Sequence, residues 1–460
     1  MKAKLFKPLN SSNKEFIQRL LMLALPIMGQ NLLISSVSFV DTLMIGMVGE
    51  VQLAAVGLAN QLFFLISLFY FGVSSGAAIF VSQYWGSQDL KRMHKVIGIA
   101  LITNLVGSLV ATIGSLFFPH QLLMIFTKDA LVVELGSQYL VIVAVSYLFT
   151  AVVMIYSAAL RSTTDARTPL YTSALSIIVN VILNYVLIFG KLGFPKLGVA
   201  GAAIATAIAR LAEMLLLLYL IYGKKRAVAA SLKDLFSFDK ELVKLYLITC
   251  TPVILNEIFW SLGMTAYKVA YARMGVEVIA AVNVIEAIQG LFFVVLMGIS
   301  NASAIMVGNK IGANEIPLAR TYAKNLLTIA FIMGSILAGV LITFSSALLI
   351  PFKLSPVGVE MTRLTLVSVG LLLPIKAFNM VIIVGILRSG GDTHFSMFTE
   401  LFGVWVIGVP AAFIGVLLLR LPLNYLYLFV GMEELYKVIM GLFRVRSGKW
   451  INRLTITEQL

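Results

Sequence analysis

One carboxylate, Asp41, stands inside the segment SSVSFVDTLMIG (residues 35–46), a run otherwise composed for hydrocarbon. An Asp, Lys or Arg at the centre of a membrane helix costs about 2.5–3.5 kcal/mol on insertion scales, so each such residue is a functional candidate. Asp41 has no basic residue within four positions on its own helix, and its partners must come from another. Thr172, Ser176, Asn180 and Asn184, spaced by four, form a polar stripe that drifts slowly around its helix and can line a cavity. Those hydroxyls and amides can hydrogen-bond a carboxylate that alternates between ionised and protonated forms, which is the chemistry of a proton carrier. The structural alternative is an Asp that caps an unwound turn.

A second set lies further along the chain. Asn283, Glu286 and Gln289, spaced by three, make another stripe, and with Glu257 and Lys376 they are candidates for a polar cluster. Lys268 is three turns from Glu257, about 16 Å along one helix, so the two need partners elsewhere. Arg210 and Glu213, three apart, can neutralise one another. Glu400, near the end of its span, is expected to reach the interface. Pro26 and Pro252 each sit inside a long apolar helix, where a kink frees backbone groups toward a cavity. A bend at Pro26 would move the segment that carries Asp41.

The elements that hold these residues are membrane helices. Of 460 residues, 60% are hydrophobic and 12% charged, which leaves too little polar surface to coat a soluble globule. Mean hydropathy is +0.98. Apolar segments long enough to cross roughly 30 Å of hydrocarbon fall near 17–46, 51–82, 96–118, 131–158, 169–190, 198–222, 243–271, 278–307, 322–349, 361–387, 395–419 and 423–443. The fold class is therefore an all-α integral membrane protein of twelve helices. The first segment has basic flanks and no small-residue cleavage site, and reads as a retained span.

The net charge of +14 is topological. About 25 of the 35 Lys and Arg collect on one side when connections alternate across the bilayer, counting Arg161 and Arg388 with the loops and Lys437 with the tail. Both termini are then expected in the cytoplasm of an inner (plasma) membrane protein. No compact basic, aromatic-laced surface exists for nucleic acid.

Sliding the chain against itself exposes a repeat. At a shift of 226, Pro26 falls on Pro252, Gly49 on Gly275, Gly72 on Gly298 and Gly86 on Gly312; at 227, LRSTTD (160–165) meets LRSGGD (387–392). Each half has six helices, so the second enters from the same side as the first. Parallel repeats of this kind suit two lobes that rock about a central site. The expected division is an N-terminus 1–16, a first lobe 17–222, a connection 223–242, a second lobe 243–443 and a tail 444–460. A monomer suffices, because the repeat supplies both lobes.

Other chemistries find little support. Cys250 is alone, the three histidines are far apart, and neither a Walker loop nor a nucleophile elbow is present. No cofactor, zinc site or enzymatic activity is expected.

The motifs LPIMGQNLL, VDTLMIGMVG, LAAVGLA, SQYWGSQD, LRSTTDARTP, IIVNVILNYVLIFG, GVAGAAIATAIA and LRSGGDT, spread over nearly the whole chain, resemble the multidrug and toxic compound extrusion (MATE) transporters. The resemblance implies two six-helix lobes around a V-shaped cavity, and export of organic cations driven by inward flow of H+ or Na+. Asp41 matches the first-helix Asp that family members use, and Asn180 a fifth-helix amide. Asn184 stands where some relatives carry Asp. Glu257 is similar to the seventh-helix acid of one branch, but that branch's tenth-helix Asp is missing, with Lys376 and Asn379 nearby, a pattern closer to the DinF-like branch. A Na+ at Asp41 would need ligands from Asn180, Asn184, backbone or water, so H+ is the expected coupling ion. The rival reading is a lipid-linked oligosaccharide flippase of related architecture, for whose pyrophosphate Lys268, Lys376 and Arg210 are candidates.

Overall fold

The computed structural model describes residues 11–352 and 354–455, nearly all of them helical. Eleven helices are long and apolar enough to cross a membrane. They are α1 (Ser11–Gly46), α2 (Glu50–Gly86), α3 (Leu90–Phe117), α4 (Ala130–Ser162), α5 (Arg167–Phe189), α6 (Gly198–Gly223), α7 (Lys240–Ala272), α8 (Val276–Gly312), α9 (Ile316–Thr343), α10 (Pro356–Arg388) and α11 (Thr393–Leu417). The twelfth span, α12, is turned at Gly431 into Leu423–Val430 and Met432–Ser447. Short helices, Pro119–Met124 and Leu232–Leu235, lie in the connections after α3 and α6.

Local signals fix the ends. Asp89, Asp129, Asp239 and Ser355 accept backbone N–H groups at the starts of α3, α4, α7 and α10, which supplies partners to donors the helix itself leaves free. Gly190, at φ 66°, closes α5 in the left-handed region. α2 and α4 run a turn beyond the expected ends at 82 and 158. The polar stretch after 82 reads as a loop in sequence, yet Gln83 and Tyr84 are buried where the lobes meet. α9 begins at 316, six residues before expectation, because Pro317 occupies its first turn, and it ends at 343 before a 3-10 turn at 347–349.

Helices α1–α6 and α7–α12 form two lobes, and their contacts come in repeat-matched pairs. Ile254 packs against Gly72, and Met28 against Gly298. A Cβ on Gly86 would collide with the Asn309 carbonyl, and one on Gly312 with the Gln83 carbonyl. Only glycine permits this approach of α2 to α8, and its repetition is what a two-fold axis between parallel repeats requires.

The lobes share cores at one end and part at the other. One apolar cluster joins Phe80 and Ile97 of the first lobe to Tyr246 and Val253 of α7; another joins Phe16 and Leu20 of α1 to Ile305 and Leu326. Toward the opposite end each lobe keeps its own cluster, around Tyr139 and Tyr147 in the first and Ile285 and Leu366 in the second. Phe64, Leu65, Leu291 and Phe293 are exposed there. The result is a V closed at the end where the described chain begins at Ser11 and finishes at Thr455.

The chain after α12 seals that closed end. Trp450 is fully buried in the cluster shared by α1 and the second lobe. The Asn452 amide donates to Gly390 O (2.7 Å), the Leu454 amide to Gln83 Oε1 (2.9 Å), and Tyr84 Oη to Leu454 O (3.2 Å). The segment expected as a tail from 444 is thus helix to 447 and then a strap across both lobes; residues 456–460 lie outside the described residues.

Candidate functional site

The first-lobe site is built where α1, α5 and α6 pack together. Asn184 Nδ2 donates to Asp41 Oδ1 (2.5 Å) and to Asn180 Oδ1 (3.2 Å), and Asn180 Nδ2 donates to Thr206 Oγ1 (3.4 Å). Both amides are buried and Asp41 is half-buried. The nearby positive charge that acts on Asp41 is Arg210, but that guanidinium is held by Glu213 (2.8 Å), the pair expected from their spacing. Asp41 is therefore clasped by neutral groups. Of the remaining stripe, Ser176 Oγ donates to Ala209 O (3.1 Å) and so ties α5 to α6, while Thr172 Oγ1 donates back to Pro169 O of its own helix (3.0 Å); both side chains are buried and do not line an open cavity.

A hydrogen-bonded chain runs through the same lobe. Arg161 Nη1 donates to Gln30 Oε1 (3.0 Å), Gln30 Nε2 to Ser173 Oγ (3.0 Å), and Ser173 Oγ to Glu213 Oε1 (2.7 Å). Gln30 lies one turn beyond Pro26, which the helix accommodates without ending.

The second lobe repeats this chain with acids in place of neutral groups. Asn256, the equivalent of Gln30, donates to Glu400 Oε2 (2.7 Å), the equivalent of Ser173. Arg388, the equivalent of Arg161, donates to Glu257 Oε1 (2.7 Å) and Glu400 Oε2 (3.5 Å). Two expectations fall here: Glu400 turns inward and not to the interface, and Arg388 is a buried residue and not a loop charge. A π-helical turn, Val381–Arg388, carries the guanidinium in, and buried charges demand such pairing.

The other second-lobe candidates do not assemble into one cluster. Glu286 pairs with Lys268 (2.7 Å), both substantially exposed, and Asn283 is exposed beside them. Lys376 belongs to a separate network, where its charge acts on Glu433 and Glu434 of α12. Tyr267 Oη donates to Glu433 Oε2 (2.5 Å), Asn379 Nδ2 to Glu434 Oε2 (2.7 Å), and Lys437 Nζ lies 3.4 Å from Glu433 Oε1. Lys437, expected among the tail charges, is 4% exposed. Sequence spacing could have paired Glu433 with Lys437, four residues apart, had that turn been read as buried. Among the described residues, no group of three His, Cys, Asp or Glu is placed to hold a metal ion.

The MatE family model matches residues 26–186 and 252–426, one copy on each lobe and offset by the repeat shift. The chain belongs to the MATE family. A relative from Bacillus subtilis, the probable multidrug resistance protein YoeA, is 29% identical over 397 residues, covering 85% of this chain and 84% of its own. The probable multidrug resistance protein NorM of Thermotoga maritima is 26% identical, covering 97% and 95%. In fold, the chain is similar to an outward-facing multidrug resistance MATE transporter of the MOP superfamily (TM-score 0.84, 22% identity, covering 94% of this chain and 95% of that one). It is likewise similar to a MATE crystallised with MaL6 (TM-score 0.85, 22% identity, covering 94% and 97%). The MATE fold thus accounts for the two lobes and their twelve spans, and the first-lobe candidates Asp41, Asn180 and Asn184 all fall within the first matched segment.

Proposed function

We propose that this MATE-family chain is a multi-pass membrane exporter of organic cations and amphipathic toxic compounds, working by alternating access and driven by proton inflow through Asp41. The observation that carries the reading is the clasp on Asp41, a carboxylate inside a span that is bonded to an amide and not to a cation. Such a group can take up and release a proton without breaking an ion pair, whereas a buried carboxylate locked to Lys or Arg cannot. The Asn184 amide turns one N–H to the carboxylate and the other to Asn180 Oδ1, an arrangement suited to an anion that protonates in place; Na+ would draw on amide oxygens instead. The family's multidrug-resistance relatives support the cargo class.

In this reading the end bearing the termini faces the cytoplasm, and the V opens outward. Cargo leaves as Asp41 is protonated from outside, and the segment beyond Pro26 shifts as the α5 and α6 contacts adjust. One chain suffices for the cycle, and no cofactor enters.

The test is dye export from liposomes under a proton gradient or a sodium gradient imposed separately, for the wild type and Asp41→Asn. We expect export under the proton gradient alone and its loss in Asp41→Asn, with both proteins equally monodisperse. Export driven by sodium, or persisting in the variant, would overturn the proton assignment. Binding of a polyprenyl pyrophosphate with no dye export would favour the flippase reading.

A further inference from the structure

A small cavity lies between the lobes at the closed end, and its walls are related by the internal repeat. Arg161 and Arg388 face it, as do Ser162 and Ser389, and Ser75 and Asn301. Each pair is separated by 226 or 227 residues, so the cavity straddles the pseudo-two-fold axis. Its volume is about 60 Å³.

The lining is rich in donors. The only charged side chains among the described residues of the lining are the two arginines. Arg388 is neutralised from behind by Glu257 and Glu400, at 2.7 and 3.5 Å. Arg161 has no carboxylate: among the described residues its partner is the neutral Gln30, which engages one of the five N–H groups a guanidinium carries. Ser74 also lines the cavity, is 4% exposed, and its hydroxyl has no partner among the described residues. Its repeat equivalent, Ser300, donates to Met380 O (2.7 Å). An unpaired charge and an unpaired buried hydroxyl that share one cavity are costly unless something meets them.

We propose that this cavity binds a small monovalent inorganic anion, of chloride size, between Arg161 and Arg388. The charge is chosen by Arg161; the O–H of Ser74 and the amide N–H of Asn301 that is left after its bond to Met297 O (2.9 Å) complete the donor set. A space of about 60 Å³ between the lobes suits a single small ion, and comparison of chloride with acetate separates such an ion from the acidic group of a larger cargo. The space holds a single ion with a water, since one water needs only about 10–15 Å³ on such a measure. Because the two arginines belong to different lobes, the anion ties the closed end together and leaves when the lobes part.

The experiment is thermal unfolding of the purified full-length protein in sodium chloride against sodium gluconate at matched ionic strength. We expect a saturable rise in Tm with chloride. That rise is lost in Arg161→Gln and partly kept in Arg161→Lys. In Ser74→Ala, which keeps the charge, the half-saturating chloride concentration rises roughly threefold, the effect of one neutral donor. A purely structural role for Arg161 would lower Tm equally in both salts. Crystals grown in bromide should show an anomalous peak between the two guanidinium groups. Wild-type unfolding that is the same in chloride and gluconate, or a peak absent at saturating bromide, would overturn the proposal. A Tm rise with acetate but not with chloride would do so too, and would point to a carboxylate.

Discussion

The two lobes descend from one six-helix unit, yet they solved the problem of an intramembrane carboxylate in opposite ways. In the first lobe the acid sits on the opening helix, at Asp41, and is met by the Asn184 amide of α5, itself braced by Asn180. In the second lobe the repeat position of Asp41 is Tyr267, and the acids have moved to α12, where Glu433 and Glu434 are met by Lys437 and the charge of Lys376. Arg210 and Lys437 are themselves repeat equivalents. The basic group on the sixth helix of each half was thus retained while its surroundings diverged. A carboxylate held by neutral groups can change protonation during a cycle. Acids locked to lysines cannot do so without leaving a bare buried cation, so the second network holds helices together.

The comparison breaks most readily at Lys437. Lys437→Met leaves two buried acids sharing the remaining charge of Lys376, and removing one partner of a buried ion pair costs about 3–5 kcal/mol. We expect the variant to show the largest loss of thermal stability among single substitutions at either site, measured by unfolding in detergent. The fraction that stays folded should export dye with unchanged dependence on the proton gradient. A variant of normal stability that lost proton coupling would assign the ion pathway to the second lobe.

How far each lobe was legible in sequence follows from the same difference. Asp41 announced itself as the lone charge in an apolar run, and Asn184 as a member of a four-residue stripe, because both signals are local to one helix. Arg210 and Glu213 were legible for the same reason. Pairs such as Arg388 with Glu257, 131 residues apart, carry no local signal, and a charge at the end of a span reads equally well as a loop residue. Glu433, Glu434 and Lys437 were lost because α12 is short, broken at Gly431 and rich in charges that a hydropathy reading assigns to water. The repeat held a usable clue: carried through at its shifts of 226 and then 227, it sets Gln30 on Asn256 and Ser173 on Glu400, and so marks a polar chain in both lobes.

Within the first lobe the amide clasp can be tested without touching the carboxylate. Asn184→Ala removes a hydrogen bond to a charged group, worth about 1.5–3 kcal/mol. We expect proton-driven export to fall by at least about tenfold, since every 1.4 kcal/mol is a factor of ten, and to fall further than the accompanying drop in thermal stability explains. Asn184→Asp, which places a second acid against Asp41, separates a donor from a mere spacer: if the amide acts as a donor to the anion, this variant changes the pH profile of export as well as its rate. Equal losses of export and stability in Asn184→Ala would make the amide a packing residue.

The smallest effect is expected at the exposed ion pair of the second lobe. Lys268 and Glu286 meet at 2.7 Å, but their side chains are 54% and 41% exposed. A pair this exposed contributes about 0–1 kcal/mol, because water and salt screen it and two long side chains must be held still. Lys268→Gln should therefore leave stability within that range and leave coupling intact. Its value lies in cargo. Removing the cation frees Glu286 to face the open cleft, so apparent affinity for a cationic dye should rise modestly, and the rise should vanish in 1 M salt, where charges are screened within about 3 Å. An unchanged affinity at low salt would show that the pair lies outside the cargo path, and that the second lobe meets cargo with apolar surface alone.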